Sequence, residues 1–276
     1  MSDIGFQILG VGAWGPNFQN WPELSAILNG EKLAAHEIKG PKPEVIPANE
    51  RRRAPLPVRL AVESSWQAVN DAGLDPAELP CVFVSGIGDT QLTDYMCTVL
   101  ATDNKALSPT KFHNSVHNAA AGYWTISTGC TQAANSVAGF QESVSLAMME
   151  ALIQCQAEQR PLLITFYDAP SSEVLCGLLK NDVSFAASIV IAPRGYSETR
   201  LDFSARVKQH QLKQAENHWP ELDVQKMLQS CYAKNPSAKI LSLLKLLASV
   251  EPRSSGVIEL PLSQQTSLQI TVAQSA

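Results

Sequence analysis

The chain has 276 residues with a formal net charge of −5; 45% are hydrophobic and 17% charged. That length is ample for a full core, and a pI near 5.6 supplies no basic field to collect phosphates, so nucleic acid is not an expected partner. The charged share falls below the usual quarter or so, which reads as surface kept for burial against another protein.

The N-terminal sequence, MSDIGFQILG, lacks the basic and apolar stretches of a secretory signal. The first element is a strand-like run from Phe6 to Leu9, followed by a glycine-rich turn. A helix is expected over Pro22 to Leu28, with proline in its first turn and Gly30 beyond its end. Residues 30–57 carry Pro41, Pro43, Pro47, Pro55 and Pro57 around the run Glu50-Arg51-Arg52-Arg53, and read as one long ordered loop. Residues 58–72 place Val62, Trp66 and Val69 on one helical face, and Gly73 supplies a left-handed cap. A strand follows at Cys81–Ser85. Asp89 or Thr90 then caps a helix whose Leu92, Tyr95, Met96, Val99 and Leu100 share a face.

Helices over Asn118 to Ile126 and over Glu142 to Gln154 flank a short strand at Ala134–Ala138, which ends at Gly139. Two buried strands are expected at Leu162–Phe166 and Phe185–Ala192. Strands alternating with helices imply a layered α/β fold with a partly parallel sheet. After Pro193 the character changes: residues 204–235 are polar, 238–250 form a leucine-rich helix, and Val257–Leu260 with Ser267–Val272 suggest a hairpin. Residues 1–196 are accordingly read as a domain and 197–276 as an extension whose helix covers the core or meets a partner. No run of eighteen apolar residues is present, so no membrane span is expected.

Three segments carry possible chemistry. Gly10-x-Gly12-x-x-Gly15 matches a dinucleotide fingerprint in letters, but Pro16 and Asn17 follow where a helix should open. A tight turn is the plainer reading, and no nicotinamide cofactor is expected. In Ser108 to Asn118, His113 and His117 stand four apart, yet Asn114 occupies the place of a metalloprotease glutamate. The Asn and His side chains are expected to pin a loop and cap a helix near Asn118, with a substrate-facing histidine as the alternative. Cys130 follows the end of a helix, the negative end of its dipole, and reads as a structural thiol. The six cysteines contain no CxxC pair and look like reduced cytoplasmic thiols, with no metal site among them.

Taken together, the segments Arg59 to Gly73, Cys81 to Gly88, Ser108 to Ala121, Gly129 to Gly139, Leu162 to Asp168 and Phe185 to Pro193 resemble the N-terminal half of a β-ketoacyl synthase of the thiolase superfamily. The resemblance implies a thiolase-like layered α-β-α fold, N-terminal half only. It also implies a nucleophilic cysteine at the junction of a strand and a long helix. Gln141 stands at that position here, and no cysteine lies between 131 and 154. The family's two histidines lie in a C-terminal half that residues 197–276 are too short to supply; His210 and His218 match no family motif. Such a chain resembles the chain-length factors that pair with an active ketosynthase, most of all the short form of aryl polyene gene clusters. The implied partners are an active β-ketoacyl synthase subunit and, indirectly, an acyl carrier protein. Phe112, Phe140, Gln141, Tyr95 and Met96 are the candidates for the acyl pocket. Two other readings stay open: an acyltransferase using Cys130 with His113 or His117, and a scaffold without an acyl pocket.

Overall fold

A computed structural model describes residues 3–31, 40–198, 201–209, 231–249 and 256–272. His210 and His218 lie outside them. The strands are β1 (Ile4–Trp14), β2 (Cys81–Val84), β3 (Ala134–Val137), β4 (Leu162–Asp168), β5 (Phe185–Pro193), β6 (Asp202–Gln209), β7 (Val257–Pro261) and β8 (Thr266–Val272). They form one eight-stranded sheet in the order β3-β2-β4-β5-β1-β6-β8-β7. The β3, β2 and β4 strands run parallel, and the other neighbours are antiparallel. Strands from both sides of residue 197 thus share the sheet.

The helices are α1 (Trp21–Leu28), α2 (Ala48–Arg53), α3 (Leu56–Ala72), α4 (Thr90–Leu100), α5 (Pro109–His113), α6 (Ala119–Thr128), α7 (Ser143–Glu158), α8 (Glu173–Leu179) and α9 (Leu241–Ala248). Two cores result, one on each face of the sheet. α1, α7 and α9 pack on one face with Val144, Met148, Leu241 and Leu244 buried. α3 and α6 pack on the other, around Leu60, Val69 and Trp124. The layered α-β-α arrangement is therefore as expected, and the leucine-rich helix covers a sheet face.

Three readings are corrected. The opening strand does not stop at Leu9; it runs on to Trp14, with an irregularity between Ile8 and Gly10. Gly10 and Gly12 therefore lie inside a strand, because α3 crosses it too closely for side chains. A Cβ on Gly10 would stand 2.2 Å from the Ala68 carbonyl, and one on Gly12 would stand 2.1 Å from that of Ser64. The glycine pattern serves helix–sheet packing. Residues 30–57 are not one loop, since the arginine run forms α2. Residues 204–209, the start of the stretch read as polar, belong to β6, which buries Phe203 and Ala205. Trp66, half-buried, packs against the same core as the fully buried Val62 and Val69, as the shared helical face implies.

Other local signals act as the sequence indicates. Gly73 closes α3 at φ 66°, and the Asp89 side chain, rather than Thr90, caps α4 by accepting from the Leu92 N–H. α3 is also tied to the sheet by a buried hydroxyl chain. Ser64 Oγ meets Ser188 Oγ at 2.8 Å, Ser188 Oγ donates to Thr165 Oγ1, and Thr165 meets Ser65 Oγ at 2.7 Å. At the far edge of the sheet, Glu259 on β7 pairs with Lys208 at 2.7 Å and the strand ends in Pro261. Such features blunt an edge against further pairing.

Gly12→Ala is expected to lower stability by about 1–3 kcal/mol, the ordinary cost of forcing volume into a packed site. Urea unfolding measures it.

Candidate functional site

Parallel strands gather their carboxyl ends at one edge, where open α/β sheets place their ligands. Here β2 ends at Val84, β3 at Val137 and β4 at Asp168, and the chain turns sharply after each. The turn after β3 is the strand-to-helix junction expected to carry Gln141. Phe140 takes φ 49°, a left-handed backbone in a bulky residue. The Gly139 N–H donates to Ser143 Oγ at 2.9 Å, and that hydroxyl donates to the Phe140 carbonyl at 2.8 Å. A short 3-10 turn, Phe140–Glu142, then leads into α7.

Asp168, fully buried, organises this edge. Its Oδ1 accepts from Ser85 Oγ at 2.6 Å and the Ile87 N–H at 3.1 Å. Its Oδ2 accepts from the Gly86 N–H, from the Ser237 N–H and from Ser237 Oγ at 2.7 Å. Burial pushes the carboxyl above its ordinary range, and the hydroxyl and amide donors pull it back. Ser237 belongs to a 3-10 turn, Pro236–Ile240, so the C-terminal segment is fastened to the carboxyl ends of the strands. Asn235 adds bonds to the carbonyls of Asp168 and Val183.

Gln141 is half-buried. It lines a cavity of about 210 Å³ with Tyr232, Lys234, Asn235, Lys239, Ser242 and Glu259 among the walls. Its carbonyl accepts from Lys239 Nζ at 2.5 Å. This lining mixes polar and apolar groups, and among the described residues no thiol or imidazole is part of it.

The other candidate residues do not gather there. Tyr95 lines a separate cavity of about 350 Å³, where its hydroxyl accepts from the Ser108 N–H and Lys111 Nζ sits 3.5 Å from its ring centre. Met96 is half-buried on α4. Phe112 and Phe140 are 59% and 48% exposed. Tyr95 and Gln141 thus line different cavities, and both phenylalanines face outward.

A larger groove, of about 650 Å³, lies between α2, α5 and α6. Ala119, Gly122, Tyr123 and Ile126 form one wall, and Val116, His113 and Asn114 contribute to it. The spacing i, i+3, i+4, i+7 in Ala119 to Ile126 was the available signal. It is the face of α6 opposite the buried Ala120, Ala121 and Trp124.

His113 ends α5 and His117 precedes α6; both are exposed and share no helical face. Asn114 does pin the loop, donating to the Arg53 carbonyl at 3.4 Å. Asn118 stands at the start of α6 without a side-chain capping bond. Cys130 is buried, with Sγ donating to the Leu79 carbonyl at 3.3 Å. Burial pushes the Cys81 thiol up to about 12 and that of Cys155 to about 11.

This fold and its strand-to-helix junction define a thiolase-like protein. The sequence profile described as β-ketoacyl synthase, N-terminal domain, matches residues 19–242. The chain belongs to that family. No curated protein matches it by sequence. Among solved structures, it is similar to a chain of a ketosynthase in complex with its chain length factor from Xenorhabdus doucetiae. There the TM-score is 0.68 at 17% identity, covering 96% of this chain and 98% of that one. A chain from a type II polyketide synthase acyl-carrier protein in complex with its hexaketide-bound ketosynthase gives 0.72 at 12% identity, covering 99% and 100%. The ishigamide ketosynthase/chain length factor gives 0.68 at 12%, covering 98% and 99%. Among the described residues, no helix is long and apolar enough to cross a membrane.

Two outcomes test this site. Asp168→Ala, which strands five donors, is expected to cost at least about 3 kcal/mol in urea unfolding. Brief iodoacetamide treatment of the folded protein near neutral pH should label exposed Cys97 first and spare Cys81, Cys130 and Cys155, as peptide mapping would read.

Proposed function

We propose that this chain is a non-catalytic, chain-length-factor-like subunit that pairs with an active β-ketoacyl synthase and shapes its acyl pocket. The reaction served is elongation of a polyene, fatty acid or polyketide type, and the aryl polyene kind is the closest resemblance. The observation that carries this reading is Gln141 in the junction between β3 and α7, where the family's resemblance calls for a cysteine. A primary amide there is neither a nucleophile nor a base, so acyl transfer needs groups from another subunit.

The surface around β3 supports a protein partner. Among the described residues β3 is an edge strand, paired on one side by β2, and it contains neither charge nor proline. Asn135 on β3 donates to Glu150 on α7 at 2.9 Å. Leu146 and Ile153, which flank Glu150 at helical spacing, are 38% and 54% exposed. On the other side of the sheet α6 packs against β3 and holds Ile126 at 83% exposure. An unpaired edge bordered by apolar side chains is a surface for association.

The groove on α6 opens beside that surface, with a volume in the range of small-molecule sites. An acyl chain delivered by an acyl carrier protein, docked mainly to the ketosynthase, would extend toward it. Phe112 and Phe140, exposed in the single chain, are suited to walls that close when the partner is present. A cytoplasmic location accords with this role, and no cofactor is called for.

Alone, the protein is expected to show no condensing activity and to aggregate readily; mixed with its ketosynthase, it should elute as a heterodimer. Ile126→Asp should weaken that complex about tenfold or more while leaving the thermal midpoint of the isolated chain nearly unchanged. A chain that stays monomeric beside every ketosynthase encoded with it would overturn the proposal.

A further inference from the structure

The bend at Phe140 has a cost, and its local hydrogen bonds are accompanied by restraints from elsewhere in the chain. A left-handed backbone costs a residue with a Cβ roughly 1–2 kcal/mol, and it persists where the surroundings over-determine it. Glycine would remove the cost, and glycine stands one residue earlier, at Gly139. The hydroxyl of Ser143 ties the ends of the bend together, but both of its partners lie within it. The external restraints come from far along the chain.

Three contacts supply them. Lys239 Nζ reaches 98 residues back to donate to the Gln141 carbonyl at 2.5 Å. Pro236 packs on Gly86 so closely that a Cβ there would stand 2.4 Å from the proline ring; the same Cβ would stand 2.8 Å from the Phe140 carbonyl. Ser237 anchors the turn between them through Asp168. Residues 236–239 therefore reach the bend directly through Lys239 and indirectly through Gly86, which is packed close to both Pro236 and the Phe140 carbonyl. Lys239 keeps its ammonium in this half-buried place against a desolvation penalty that lowers its pKa, with Glu142 opposing that shift.

We propose that residues 236–239 are a clamp that holds the β3–α7 junction in its left-handed bend, with Lys239 as the positioning residue acting through the Gln141 carbonyl. What the clamp maintains is the outward direction of the Phe140 ring and the inward direction of Gln141. This holds whether or not the chain pairs with a ketosynthase.

The test reads the backbone of Phe140 directly. Lys239→Met keeps the apolar stem and removes the donor. A crystal structure, or φ-dependent NMR couplings, should then show Phe140 relaxed to negative φ. Lys239→Arg, which retains a donor, should keep it positive. Lys239→Gln, too short to span the gap, provides a second donor-deleted variant if the methionine form does not fold. Amide exchange at Gly139 and Ser143 should quicken about tenfold or more in the donor-deleted forms, the loss expected of a hydrogen bond to a charged group. Phe140 still near φ 49° in a folded donor-deleted variant, with unchanged exchange, would overturn the proposal. Because this readout uses the isolated chain, its failure is distinct from failure to bind a ketosynthase.

Discussion

The buried carboxyl of Asp168 is the constraint on which this architecture depends. It ends β4, receives the loop after β2 through Ser85, Gly86 and Ile87, and receives the C-terminal turn through Ser237. A buried charge or near-charge with several lone pairs is tolerable only where donors converge on it. Satisfying Asp168 therefore forces segments about 80 and 69 residues away to meet. The carboxyl ends of the parallel strands, an open crevice in many α/β sheets, are here partly filled by the chain's own residues.

That arrangement separates two functions that one active site would combine. The edge at Gln141 is narrow and internally braced, which suits a position that needs shape more than reactivity. The α6 groove is wider and more apolar, and it lies on the outer face of the helix that packs against β3. The proposed division of labour with a ketosynthase follows from this separation. In that proposal chemistry is left to the other subunit, and space for a chain is offered from this one.

Much of the fold was legible because its signals are local. Gly73 and Asp89 sit where a left-handed cap and an N-cap are needed, and β4 and β5 are continuous apolar runs buried on both faces. The errors share a different cause. Gly10 and Gly12 mimic a turn because the helix that needs their small size lies more than fifty residues away. β6 hid in a polar stretch although Phe203 and Ala205 alternate with Ser204 and Arg206, the mark of a half-buried strand. Gln141 was readable from strand-to-helix order. The role of Asp168 was not, since Ser237 carries no signal pointing to a partner 69 residues earlier. Exposure of Phe112 and Phe140 was equally hidden, because an aromatic letter says nothing about which way it faces.

The two ends of the sheet bear on how many subunits can assemble. Among the described residues β3 is paired on one side only and is plain in sequence; at β7 the Lys208–Glu259 pair and Pro261 discourage addition. A sheet extensible at both ends would invite indefinite stacking, whereas one extensible at a single end is used up by its first neighbour. In the proposed pairing, association through β3 would use one end of the sheet, and β7 would be poorly suited to receive a further strand.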